Sequence, residues 1–94
     1  MALKGYMRTL SGTTDVVPDR IRKGIRQMIL QNPSGNGVVY VGSREVDNTN
    51  YAHVIADGGT LTIGPFSGDA PTNTLEWGLY GTDGKVVNVL LITH

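Results

Sequence analysis

A chain of 94 residues with eight basic and eight acidic side chains, 13 glycines and no cysteine is long enough for one domain with a thin core. The missing cysteine excludes disulfides, thiolate nucleophiles and cysteine-based zinc sites, and no apolar run approaches the ~20 residues that cross a bilayer. The charge is unevenly spread: Met1 to Leu30 hold six basic and two acidic residues, Gln31 to His94 two and six, so a cationic beginning precedes an anionic body.

Met1 to Asp19 is polar, punctuated by Gly5, Gly12 and Pro18, with small apolar clusters at Tyr6–Met7 and Val16–Val17. Lys4 and Arg8 precede no apolar stretch, so a signal peptide is not expected and synthesis is assigned to the cytosol. Residues 1–19 read as an extended arm, and 20–94 as the folded body. Tyr6, Met7 and Leu10 would be wasted on a disordered tail, so the arm is expected to lie against another subunit. With Lys4, Arg8, Arg20, Arg22, Lys23 and Arg26 these residues form the expected protein-docking set, aimed at an acidic surface.

Arg20 to Gln31 reads as a strand, with Arg22, Arg26, Met28 and Leu30 on one parity and Ile21, Ile25 and Ile29 on the other. The isoleucine ladder at spacing four also fits a helix. Gly24 weighs against that, since an interior glycine costs a helix ~1 kcal/mol, and so does Pro33. The basic residues here lack the interleaved aromatic rings that single-stranded nucleic acid stacks on, so no nucleic-acid partner is expected.

The connector Asn32-Pro33-Ser34-Gly35-Asn36-Gly37 separates the runs Met28–Leu30 and Val38–Val41. Its turn residues predict a β-hairpin whose two strands form the centre of a sheet. Gly42 to Ala52 is polar; Asp47, Asn48 and Asn50 crowd oxygen atoms together, but an EF-hand loop counted from Asp47 would put Ala52 and Gly58 where Gly and Glu are needed. An Asx-type turn is the better reading. Two short strands flank Asp57-Gly58-Gly59, with Leu61 and Ile63 on one face and Thr60 and Thr62 on the other. Pro65 ends the second strand or sets it at a sheet edge.

Ser67 to Asn73 is a second polar loop. Leu75, Trp77 and Leu79 alternate against Glu76, Gly78 and Tyr80, and Trp77 reads as a core anchor. A final hairpin turn at Gly81-Thr82-Asp83-Gly84 leads to a last strand, Val86 to Thr93. Val87, Val89 and Leu91 share one face of it; Val86, Leu90 and Ile92 share the other. Apolar residues on both faces of a strand in so small a sandwich predict a cover, either the arm or a neighbour. The whole pattern is all-β: a small antiparallel sandwich, jelly-roll or immunoglobulin-like.

Reaction chemistry is thinly represented. The only histidines are His53 and the terminal His94, and none of Ser34, Ser43 or Ser67 lies in a nucleophile elbow. The carboxylates fall mostly in turns, with Glu76 alone in mid-strand. Gly35 and Gly37 lack the Gly-Lys-Ser/Thr of a P-loop. No enzyme, cofactor or metal site is expected.

The segments Asn32–Gly35, Val38–Gly42, Gly58–Ile63 and Leu79–Gly81 together give the chain, over roughly residues 24 to 92, a resemblance to a family. It resembles the small β-sandwich virion proteins of tailed bacteriophages: head decoration or cement proteins and the bases of head fibres. The resemblance implies a structural virion protein, made in the host cytoplasm, that binds the major capsid protein on the capsid surface and stabilises contacts between shell subunits. It also implies a homo-oligomer, a trimer by preference. Two other readings stand beside it, a neck or tail protein and a carbohydrate-binding module using Tyr40, Tyr51, Trp77 and Tyr80. Alternation sets Trp77 and Tyr80 on opposite faces, which argues against one shared aromatic platform.

Overall fold

The computed structural model of the protein describes residues 2–17, 24–65 and 77–93. These form eight strands: β1 (Ala2–Thr9), β2 (Thr14–Asp15), β3 (Ile25–Gln31), β4 (Val39–Gly42), β5 (His53–Ile55), β6 (Thr60–Ile63), β7 (Gly78–Tyr80) and β8 (Val86–Thr93). Every pairing is antiparallel. Sheet A runs β1-β8-β3-β6 and sheet B runs β2-β7-β4-β5. The chain is thus a small all-β sandwich of two four-stranded sheets.

The pairings nest. β1 lies on β8, β2 on β7, β3 on β6 and β4 on β5. This is one long hairpin wrapped around a core, the jelly-roll arrangement, and not the immunoglobulin order. Alternation supplies the inner layer of each sheet. Met28 and Leu30 from β3 and Val87, Val89 and Leu91 from β8 meet Val39 and Val41 from β4 and Leu79 from β7. Trp77 and Leu61 pack on this cluster from its margin, half-buried.

The segment read as an outward arm is part of the sandwich. All eight residues of β1 pair in unbroken register with β8, from Ala2↔Thr93 to Thr9↔Val86. Leu10 is 1% exposed, and Val16 and Val17 are wholly buried in the same core. The polar look of the segment has a local cause. β1 is an edge strand, and its parity toward sheet B carries Lys4 and Arg8 beside the half-buried Tyr6, inward-directed charge being common at an edge. The expected boundary between residues 19 and 20 lies outside the described residues.

The central hairpin is corrected too. β3 and β4 are both interior strands, but of different sheets. The connector is an arch from sheet A to sheet B. Asn32 holds it together. Its side chain is fully buried, and its Nδ2 donates to the carbonyls of Gly37 at 2.8 Å, Ala56 at 3.0 Å and Ile55 at 3.2 Å. Its backbone N–H donates to Gly59 O at 2.9 Å. Three carbonyls around one end of the amide require the NH₂ there; Oδ1 has no donor among the described residues. Asp57 closes the other side, with its Oδ1 accepting from the N–H groups of Gly35 and Gly37. Both glycines have positive φ, 100° and 74°, which turns those N–H groups inward at no Cβ cost.

The turns at 57–59 and 81–84 form as expected, with Gly59 N donating to Ala56 O and Lys85 N to Thr82 O. Each, however, carries the chain across the sandwich: β5 and β6 lie in opposite sheets, as do β7 and β8. Among the described residues, only β4 and β5 are consecutive strands within one sheet.

The parity of β3 also differs from a plain alternation. The β3–β8 register shifts between Ile25 and Gln27, a bulge at Arg26. The extra residue brings Ile25 inward together with Met28 and Leu30 and leaves Ile29 on the outer face. The Asx turn is present: Asp47 Oδ1 accepts from the Thr49 hydroxyl and from the N–H groups of Thr49 and Asn50. The Thr49 hydroxyl and amide, and then the Asn50 amide, hold that carboxyl below its usual range. β6 ends at Ile63 on the edge of sheet A, just before Pro65. The polar loop at 67–73 lies outside the described residues.

Candidate functional site

The described residues hold no group of three or more His, Cys, Asp or Glu side chains spaced to hold a metal ion. His53 is exposed, its ring 6.1 Å from that of Trp77. Ser43 Oγ accepts a hydrogen bond from Glu45 N–H. Ser67 and Glu76 lie outside the described residues. What the sandwich offers instead is two outward faces of different chemistry.

The outer face of sheet A is read from its register. One cross-strand row is Leu3, Ile92 and Gln27; the next is Gly5, Leu90, Ile29 and Thr62; the third is Met7, Asn88, Gln31 and Thr60. Thr9 and Val86 close the face. Not one of these positions is charged. Leu3 is 64% and Met7 68% exposed, the two most exposed large hydrophobic residues among those described. Gly5 lies between them on β1 and supplies no side chain, which opens a groove of about 570 Å³ over Leu90 and Ile29. A Cβ at Gly5 would meet nothing nearer than Val89 O at 4.0 Å. At the groove floor Asn88 Nδ2 donates to Gln31 Oε1 at 3.1 Å. Interface centres are depleted of charge in this way, whereas ordinary solvated sheet faces carry it.

Sheet B turns a row of Tyr80, Tyr40 and Val54 outward. The Tyr40 ring lies 4.8 Å from that of Tyr51 and 6.5 Å from that of Tyr80, tilted by 49° and 46°. Three tyrosines thus form one cluster, and Tyr51 and Val54 are exposed. Asp15 and Arg44 stand as a pair at 3.8 Å, both about half exposed. Of the four aromatic residues named from the sequence for a carbohydrate-binding module, Tyr40, Tyr51 and Tyr80 come together here through the pairing of β4 with β7, while Trp77 lies beside His53.

The expected docking set is dispersed. Leu10 belongs to the core. Tyr6 is half-buried, and its hydroxyl donates to Val16 O at 2.8 Å. Burial pushes that hydroxyl up from 10 to about 12, against a smaller pull from Arg8. Arg8 Nε donates to Asp15 O at 2.9 Å. These three serve their own subunit, because alternation along β1 sends Tyr6 and Arg8 to the side of sheet B. Lys4, Met7 and Arg26 are exposed. Arg20, Arg22 and Lys23 lie outside the described residues. The cover expected over β8 does not come from β1, which lies beside β8 and not on top of it.

The chain matches no family model, no curated protein and no solved structure.

Proposed function

We propose that the protein is a non-enzymatic structural component of a phage virion, a decoration protein that binds the capsid surface and reinforces contacts between shell subunits. The observation that supports this reading best is that both outer faces of a jelly roll are left with contact chemistry. Sheet A offers an uncharged aliphatic groove and sheet B a tyrosine cluster. A reinforcing protein needs two contact surfaces, one for the shell and one for its own neighbours. Many copies on one lattice then sum modest interfaces into a large effect. Jelly rolls occur in capsid proteins, but a fold alone does not fix a function. The resemblance of residues 24 to 92 to virion proteins supplies the rest.

Co-sedimentation with empty shells of the phage that encodes the chain tests this. Wild-type protein is expected to pellet with shells, and the Tyr40→Ala variant to remain in the supernatant. Wild-type protein that stays soluble beside intact shells at low salt would overturn the proposal.

The tyrosine cluster also favours a second reading, a carbohydrate-binding module. Tyr40, Tyr51 and Tyr80 present ring faces in one place, as sugar stacking requires. Their tilts of 46° and 49° suit a single glycan chain better than a flat crystalline surface. A glycan array with no binding above background removes this reading.

A further inference from the structure

We infer that the outer face of sheet A is a homotypic interface, pairing two copies of this chain face to face about a two-fold axis. The inference deepens the reading above by assigning one of the two faces to self-association, and its test needs no shell, so the two stand or fall separately.

Three features of the face favour a second copy over an unlike partner. The first is the absence of charge. Near a two-fold axis each residue meets itself or a close neighbour of itself, so any charge there would face its own sign. The three cross-strand rows have none, Arg26 lying beyond them at the bulge, and their polar groups are amides (Gln27, Gln31, Asn88) and hydroxyls (Thr60, Thr62), which both donate and accept and so can pair with their own kind. The second is shape. Met7 projects and Gly5, two residues before it on the same strand, leaves a hollow. A two-fold axis level with Tyr6 and perpendicular to β1 sets Met7 of each copy at the hollow of the other. Methionine is flexible enough to fill such a gap. An isologous contact requires this reciprocity, in which a projection and its socket lie on one surface.

The third feature is the charge at the two ends of the face. Arg26, turned outward at the bulge, stands at the end of the Leu3–Ile92–Gln27 row, while Asp57 and Asp83, with Lys85, occupy the turns beyond the Asn88–Gln31 row. The same axis runs the two copies antiparallel, so the cationic end of each lies over the end that carries the two carboxylates. Edge-to-edge growth along β1 is the competing way to use this strand. Lys4 and Arg8 on its other parity disfavour it, since charged residues directed inward guard an edge.

Sedimentation across a concentration series is the test, with full-length protein. The wild type is expected to pass from monomer to dimer. Met7→Glu and Gly5→Val are each expected to weaken the dimer at least about tenfold, the first by charging the projection and the second by filling the socket. Both positions are open to solvent, so circular dichroism and thermal unfolding of the monomers are expected to match wild type. Mixing Met7→Glu with Met7→Lys is expected to restore a dimer. A wild type that stays monomeric throughout, or sediments as a trimer, overturns the inference. So does a dimer that Gly5→Val leaves at full strength.

Discussion

The outer faces of the two sheets are built by the same alternation and carry opposite chemistry. Sheet A turns out aliphatic side chains, amides and an empty position at Gly5, with no charge. Sheet B turns out three clustered tyrosines, with an Asp15–Arg44 pair nearby. The inner faces, by contrast, are alike away from the β1 edge: Val, Leu and Ile on both sheets, with Met28 added on sheet A, are almost wholly buried. The core therefore needs only apolar volume, while the outer faces carry whatever distinguishes this sandwich from another of its size. Two chemistries on opposite sides suit two different contacts.

The comparison is broken most completely at Asn32, which ties the arch from sheet A to carbonyls of the β5–β6 turn. Asn32→Ala leaves three carbonyls and the arch without their donor and is expected to cost at least about 3 kcal/mol. The urea midpoint reports this, and both faces are lost together because the two sheets lose registry. Within β8 the contrast between inside and outside is sharper. Leu91→Ala empties a fully buried position and is expected to cost about 2–5 kcal/mol, whereas Leu90→Ala, half-buried on the outer face, is expected to cost about 1 kcal/mol. Equal costs in chemical denaturation would mean that the outer face is as much a core as the inner one.

Tyr6 joins the two sheets from the β1 edge. Tyr6→Phe loses the hydroxyl's bond to Val16 O, at about 1 kcal/mol. Its pH dependence is more telling. The folded chain keeps a proton up to about pH 12 that the unfolded chain releases near 10. Between those values the unfolded state binds fewer protons, so stability is full below pH 10 and falls as pH rises toward 12. Urea titrations at neutral pH and at about pH 11 should show that Tyr6→Phe removes this part of the decline. The smallest effect is expected at the exposed Asp15–Arg44 pair, where Arg44→Ala should change stability by less than about 0.5 kcal/mol. A larger loss would mean that the pair organises the face of sheet B and does not merely stand at its margin.

Much of the strand content was legible. The runs at 25–31, 39–42, 53–55, 60–63 and 86–93 were identifiable from apolar alternation bounded by Gly, Pro, Asn and Asp, and the Asx turn at Asp47 from its crowded oxygens. β1 escaped because its inward parity is Lys4, Tyr6 and Arg8, with no apolar alternation to read, and it is held by its full register with β8 and by the bonds of Tyr6 and Arg8 to Val16 O and Asp15 O. The bulge at Arg26 escaped because one extra residue changes which side chains share a face without leaving a mark in composition. The aliphatic half of the candidate surface was visible as the double-sided apolar pattern of β8. The three tyrosines were named with Trp77 as an aromatic set, but that they meet without Trp77 was not legible, because they come from β4, β7 and the loop before β5.

From the sequence alone it followed that this protein is all-β, where β3 to β8 and the reversals between them fall, and that β8 carries apolar residues on both faces. Those properties depend on neighbours within a few residues: alternation, turn propensity and the limits of proline and glycine. Only the tertiary structure decided that nearly every reversal crosses from one sheet to the other, that the first strand belongs to the sandwich, and which side chains meet on each outer face. A Gly-rich turn bends the chain equally well into a hairpin or an arch. The choice is made by burial of two apolar layers against each other and by Asn32, whose bonds reach residues more than twenty positions away.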